Sequence, residues 1–309
     1  MPNPNKGISS KLVYLMEKQS LFITGADGFL GHHLVQQLAK KYHVIGLVRS
    51  PKNLKRLTNG QITLYSTTEP LDKVFKKHQP IGIVHTATKY GRTNEPVPSL
   101  LDVNVDLPVH LLELSQKYNS KVFINIGSFI TKGEGYNYLQ DYALSKKQCS
   151  QWLRLIANKS NTCKVIDFTL FHPFGPGDSD SKFVTNMVKS IKENNPFIDL
   201  TPGEQKRDFI YVADVVSAIE LAISQSNNLE TTYTQTDLGT GSSYTLRYFL
   251  ETLKDVSRNT KTELRFGKLP YRENEIMEAK AIPDLLTSWG WKPKHTLSQG
   301  LLQTLNQTN

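Results

Sequence analysis

Leu21-Phe22-Ile23-Thr24-Gly25-Ala26-Asp27-Gly28-Phe29-Leu30-Gly31 begins as an apolar run and ends in three glycines spaced three apart. A strand running into such a loop, followed by the helical pattern Leu30–Lys40, is the first half of a β-α-β unit. The glycines permit a tight turn, close approach of backbone to a pyrophosphate, and close helix–strand contact. Backbone N–H groups at the helix start then face phosphate oxygens. Gly25, Asp27, Gly28, Phe29, Leu30 and Gly31 are therefore the expected dinucleotide-phosphate site.

The alternation continues outward from this stretch. Strands are predicted at Leu21–Thr24, Val44–Val48, Ile62–Tyr65, Ile81–His85, Val122–Ile126 and Val165–Phe171, with helical patterns near Pro70–Lys77, Leu101–Tyr118 and Tyr142–Ala157. In the helix from Leu101, the residues Leu101, Val105, Val109 and Leu112 fall on one stripe. Strands alternating with helices imply right-handed crossovers and a parallel sheet covered on both faces. The expected fold class is α/β: a Rossmann-like doubly wound parallel sheet with a smaller C-terminal substrate-binding lobe. Residues 19–172 make the dinucleotide domain. Beyond Pro173 the rhythm loosens, and 173–309 is read mainly as the lobe, with elements near 203–230 returning to the sheet. The polar residues 1–18, with weak periodicity, read as a poorly ordered extension.

Composition narrows the function. No apolar run approaches the ~20 residues needed to span a bilayer, and the N-terminus lacks a signal-peptide core. A cytoplasmic protein with no membrane partner is expected. Cys149 and Cys163 suit a reducing compartment, and their spacing suggests no metal site. The net charge is +9, but its densest basic clusters, such as Lys76–Lys77 and Lys146–Lys147, are only two residues long. No basic stripe with interleaved aromatics appears, which argues against nucleic acid. Anionic small molecules would use part of the excess charge.

The end of the second strand selects the cofactor. Val48-Arg49-Ser50-Pro51-Lys52 holds no carboxylate for an adenosine ribose. Arg49 is placed to meet a 2′-phosphate with its planar fork, so NADP(H) is expected. Tyr142-Ala143-Leu144-Ser145-Lys146 puts a phenol and an ammonium on one helix face. A nearby cation lowers the phenol pKa and makes it a usable general acid for a carbonyl being reduced. Ser128, ending the fifth strand, would hydrogen-bond the same oxygen.

Gly25/Gly28/Gly31, His85-Thr86-Ala87, Asn104, Ser128, Tyr142 and Lys146 together resemble the extended short-chain dehydrogenase/reductase family. The resemblance runs from residue 20 to 295, through Phe174-Gly175-Pro176-Gly177-Asp178, Arg207-Asp208-Phe209-Ile210-Tyr211-Val212 and Trp289-Gly290-Trp291-Lys292-Pro293. The stretches from Thr201 and Arg272, with Ala87-Thr88-Lys89-Tyr90-Gly91, are most similar to the CDP-abequose-synthase group of 4-keto-6-deoxyhexose reductases. The resemblance implies a catalytic Ser128, Tyr142 and Lys146, with His85, Ala87 and Asn104 beside the cofactor. It implies a nucleotide-diphosphate sugar held by Arg207 and Arg272 at the diphosphate, with His172, Lys182 and Phe183 nearer sugar and nucleoside. The stretch between Ser128 and Tyr142 is short for the family, and the adenine-clasping pair after the third strand is not evident in Leu64-Tyr65-Ser66.

Reaction type follows from what the trio lacks. Family dehydratases carry Asp and Glu after the Ser or Thr; Phe129 and Ile130 stand here and cannot transfer protons. Cys149, one turn beyond Lys146, has no evident partner for keto-sugar epimerisation. Reduction of a C4 carbonyl is left as the expected reaction, for surface polysaccharide or O-antigen. The alternatives are a nucleotide-sugar 4-epimerase and a non-catalytic NADP-binding sensor. Assembly as a homodimer is left open.

Overall fold

Alternate residues of a buried parallel strand must satisfy two apolar layers at once, and β1 (Ser20–Thr24) does so. Leu21 and Ile23 join one buried cluster, while Phe22 joins the other. The structure, a computed structural model, describes residues 18–58, 62–92, 95–133 and 138–307. Around β1 lie β2 (His43–Val48), β3 (Thr63–Ser66), β4 (Gly82–His85), β5 (Val122–Ile126) and β6 (Lys164–Leu170). With β11 (Tyr233–Leu238) they form one parallel sheet of order β3-β2-β1-β4-β5-β6-β11. The order reverses between β1 and β4, so a crevice opens beyond their C-terminal ends.

One face is covered by α1 (Phe29–Leu38) and α7 (Val212–Gln225). The other is covered by α2 (Leu71–His78), α4 (Leu107–Lys117) and α5 (Gln140–Ala157). The predicted stripe Leu101/Val105/Val109/Leu112 is corrected here. A short helix α3 (Val97–Leu101) passes into a π-helical turn at Asp102–Asp106 before α4. Pro108 has no N–H to give the Asn104 carbonyl, so the α ladder breaks there and the phase slips. Leu100, Asn104, Pro108 and Leu111 face inward, while Leu101 is exposed.

Beyond the first six strands lie α6 (Phe183–Lys192), α8 (Leu246–Ser257) and α10 (Leu297–Gln307), which pack on one another, with β8 (Phe197–Leu200) paired in parallel to β13 (Glu263–Phe266). The chain returns to the main body at α7, which packs on α1, and again at β11, so the return reaches Leu238 and not only the 203–230 stretch. Of the expected 1–18 extension, residues 1–17 lie outside the described residues; Lys18 donates from Nζ to the Ala39 carbonyl at 2.9 Å. Buried Asp214 binds the chain's far end by accepting from the Lys294 and His295 backbone N–H groups and from His295 Nδ1. Among the described residues, no helix is long and apolar enough to cross a membrane.

Candidate active site

The glycine turn is built by exclusion. Gly25 has φ +62°, and a Cβ there would lie 2.9 Å from the Ala87 Cα. A Cβ at Gly31 would lie 2.0 Å from the Gly25 carbonyl oxygen. Helix α1 therefore starts directly against β1. Its N-terminus has no side-chain cap and no acidic residue in the first turn, which leaves its dipole available to an anion. These features fit a dinucleotide pyrophosphate.

Asp27 sits in this turn with its side chain engaged by the loop that follows β2. Its carboxylate accepts the backbone N–H groups of Lys55, Arg56 and Leu57 at 2.8–2.9 Å. Burial raises its pKa, but these three hydrogen bonds and the Arg56 charge outweigh that and hold it below the usual carboxylate range. The loop it anchors presents Arg56, which donates to the Asp27 carbonyl at 3.2 Å and the Gly177 carbonyl at 2.7 Å. Arg56, not foreseen from sequence, is thus a second cation at the turn. Arg49 follows β2 and is exposed, with its carbonyl accepting from the Ser66 hydroxyl at 3.4 Å.

At the floor of the crevice, Thr24 Oγ1 accepts the N–H groups of Thr86 and Ala87, both at 3.1 Å. Its lone pairs are then used, so its hydrogen goes to His85 Nδ1 at 2.9 Å, which makes His85 the Nε2–H tautomer. Burial, with the Lys146 charge, holds the His85 pKa well below normal, so the imidazole is neutral. Ala87 lies against the glycine turn. Asn104 is used by the protein itself: its Oδ1 accepts from Thr88 and Lys89, and its Nδ2 donates to the Lys89 carbonyl and to Ser145 Oγ. Its bearing on a cofactor is through the loop it fixes.

Tyr142 and Lys146 share one buried face of α5, 6% and 2% exposed. Ser128 caps the 3-10 turn Phe129–Lys132, and its hydroxyl is hydrogen-bonded to Tyr142. Lys146 Nζ donates to the Ile126 carbonyl at 2.9 Å and stands 6.0 Å from the Tyr142 ring centre. Lys146 lowers the Tyr142 pKa, as expected, but the net direction is upward. Burial raises it more than Lys146, the Ser128 hydrogen bond and Lys182 lower it, and Tyr90 adds to the rise. Tyr142 is therefore a protonated phenol at neutral pH, the form that can donate. Cys149 is fully buried, and that burial pushes its thiol up to about 12.

On the substrate side, His172 starts β7 (His172–Phe174), which pairs with β10 (Phe209–Tyr211). Its ring lies 4.0 Å from Phe129 and 5.7 Å from Phe209. Burial, then the Arg207 charge, lowers its pKa well below normal. Arg207 does not present an open guanidinium. It is buried, ion-paired to Glu275, and donates to the Lys206 and Ile276 carbonyls. It braces the 272–277 segment, because a desolvated cation needs a counter-charge. Arg272, on that segment, is exposed and lies 4.0 Å over the Tyr138 ring, just before α5. Phe183 is 39% exposed at the start of α6. Lys182 turns towards Phe29 and Tyr90 at the glycine-loop side.

The profile of the NAD dependent epimerase/dehydratase family matches residues 21–234. The chain belongs to that family. As an epimerase/dehydratase-family enzyme it is 31% identical to CDP-abequose synthase of Salmonella typhimurium, over 94% of this chain and 98% of that one. CDP-abequose synthase of Yersinia pseudotuberculosis is 26% identical over 83% of this chain and 90% of its own. Among solved structures, UDP-glucose 4-epimerase of Thermotoga maritima, determined with UDP-glucose, superposes with a TM-score of 0.81 at 22% identity, covering 94% of this chain and 98% of that one. That likeness establishes the epimerase/dehydratase fold.

Proposed function

We propose that this enzyme reduces the C4 keto group of a CDP- or dTDP-linked 4-keto-6-deoxyhexose with NADPH, for O-antigen or related surface polysaccharide. The single observation that carries the reading is a buried Tyr142 hydrogen-bonded to Ser128, with the Lys146 ammonium on the same helix face. The similarity to CDP-abequose synthase supports the substrate class.

NADPH, when bound, supplies the hydride. Tyr142 donates its phenolic proton to the C4 oxygen, Ser128 orients that oxygen by hydrogen bonding, and Lys146 stabilises the phenolate left behind. Phe129 and Ile130 give the sugar an apolar neighbour in place of an acid and base, which favours reduction over water elimination. The Phe129 ring packs against His172 at a tilt of 39°. Arg49 and Arg56 fit a 2′-phosphate and pyrophosphate by charge. Val97, Leu101, Leu144, Trp152 and Leu155 are exposed on the neighbouring helices α3 and α5, which supports a homodimer through that face.

The test is NADPH oxidation with 4-keto-6-deoxy sugars on dTDP, CDP and GDP, with NADH in parallel. Turnover on one nucleotide, at least tenfold faster with NADPH, is expected. Sugar interconversion without net cofactor oxidation would replace the reading with 4-epimerisation.

A further inference from the structure

Outside the Ser-Tyr-Lys trio, a second phenol and a second ammonium meet at the same place. Lys182 Nζ lies 3.2 Å from the Asp178 carboxylate, hydrogen-bonds the Tyr90 hydroxyl, and stands 5.3 Å from the Phe29 ring centre. Only 22% of its side chain is exposed. The Tyr90 ring lies 4.9 Å from the Tyr142 ring, inclined at 37°, and the Arg92 guanidinium is 4.8 Å from the Tyr90 ring centre. Tyr90 belongs to the loop after β4, whereas Lys182 leads into α6. The two pairs therefore converge from opposite sides of the crevice.

A surface lysine spends its charge on water. This one is held by a carboxylate and a hydroxyl beside a buried phenol, where screening is weak. We propose that Lys182, aimed by Asp178 and Tyr90, is a second cation of the reacting centre and supports the negative charge that appears on the Tyr142 oxygen as its proton leaves. Tyr90 is a positioning residue: its ring packs on Tyr142, and its hydroxyl fixes the ammonium. The proposal rests on the reductase reading for its use in turnover. The charge relation itself exists without substrate.

Among the described residues, the titratable and polar groups that act on Tyr142 include Lys146 from α5, Ser128 from the end of β5, Tyr90 with Arg92 behind it, and Lys182 with Asp178. Neutral His85 lies behind Lys146. The Lys182 charge lowers the Tyr142 pKa alongside that of Lys146. Losing one of two flanking cations in a desolvated site should raise the ionisation of Tyr142 by roughly one pH unit.

The experiment follows tyrosinate absorbance of the NADP-saturated protein across alkaline pH, with Tyr142→Phe subtracted to isolate Tyr142. Lys182→Met is expected to move the Tyr142 ionisation up by about one unit, and Lys182→Arg to return it towards the wild-type position. Lys182→Gln keeps a donor for Tyr90 without charge and should match Lys182→Met; it also serves if Lys182→Met does not fold. Tyr90→Phe keeps the ring and frees the ammonium, and should give a smaller rise. An ionisation unmoved in both neutral Lys182 variants overturns the proposal. Because no sugar is needed, that result is distinct from failure of the reductase reading, which the substrate panel alone decides.

Discussion

At the scale of single residues, the chemistry turns on which groups are charged when the carbonyl arrives. Tyr142 is a phenol at neutral pH because burial outweighs the cations around it. A reductase needs this form, since the proton must be present to be given. Tyr142→Phe removes the proton and one oxygen while leaving the ring between Tyr90 and Lys146. We expect turnover to fall by at least ~1,000-fold, with NADPH still binding, measured by quenching of protein fluorescence. The Tyr-x-x-x-Lys pair was legible because i and i+4 share a helix face wherever the helix lies. The contacts of Tyr90 with Tyr142 and Lys182, and of Arg56 with the glycine turn, were not legible, because tertiary packing brings these residues from the loop after β4, the start of α6 and the loop after β2. The partners of Asp27 were hidden for a related reason: its place in the glycine loop indicates position, and only the fold shows that three backbone N–H groups donate to its carboxylate.

At the scale of elements, the glycine turn decides whether the crevice exists. Gly31→Ala would put a methyl carbon 2.0 Å from the Gly25 carbonyl oxygen, and neither backbone can yield without moving α1 off β1. A loss of about 3 kcal/mol is expected from overpacking backbone against backbone, read as a lower midpoint in urea, together with loss of most NADPH affinity. The strand-turn-helix was readable because glycine spacing and apolar periodicity agree there. The helix after β4 was misread in phase. A period of 3.6 assumes an unbroken ladder, and Pro108 breaks it, which turns Asn104 inward and Leu101 outward. The family resemblance implied a place for Arg207 at the diphosphate. In the fold it is buried and ion-paired to Glu275, while Arg272 is exposed beside the start of α5.

For the whole molecule, the protonation balance of the buried histidines sets an acid limit. Burial lowers His33 to about 4, with the His32 and Arg56 charges adding, and lowers His32, His85 and His172 as well. The unfolded chain binds these protons below pH ~6.5 while the folded one does not, so stability is full above that pH and declines as pH falls towards 4. A fully buried imidazole such as His85 accounts for about 1 kcal/mol of this loss at pH 5.5, and thermal midpoints should fall between pH 7.5 and 5.5. A flat profile would mean that these histidines titrate normally. The parallel sheet and its crevice were legible from alternating periodicity. The extent of the return was not, because β11, at Tyr233–Leu238, is paired by a contact some 70 residues from its partner β6. The most direct measurement of the central claim uses NADPH deuterated at nicotinamide C4 with a CDP- or dTDP-linked 4-keto-6-deoxyhexose. The account predicts one deuteron at C4 of the sugar for each NADPH consumed; a product that carries no deuterium, or that forms without NADPH consumption, would contradict it.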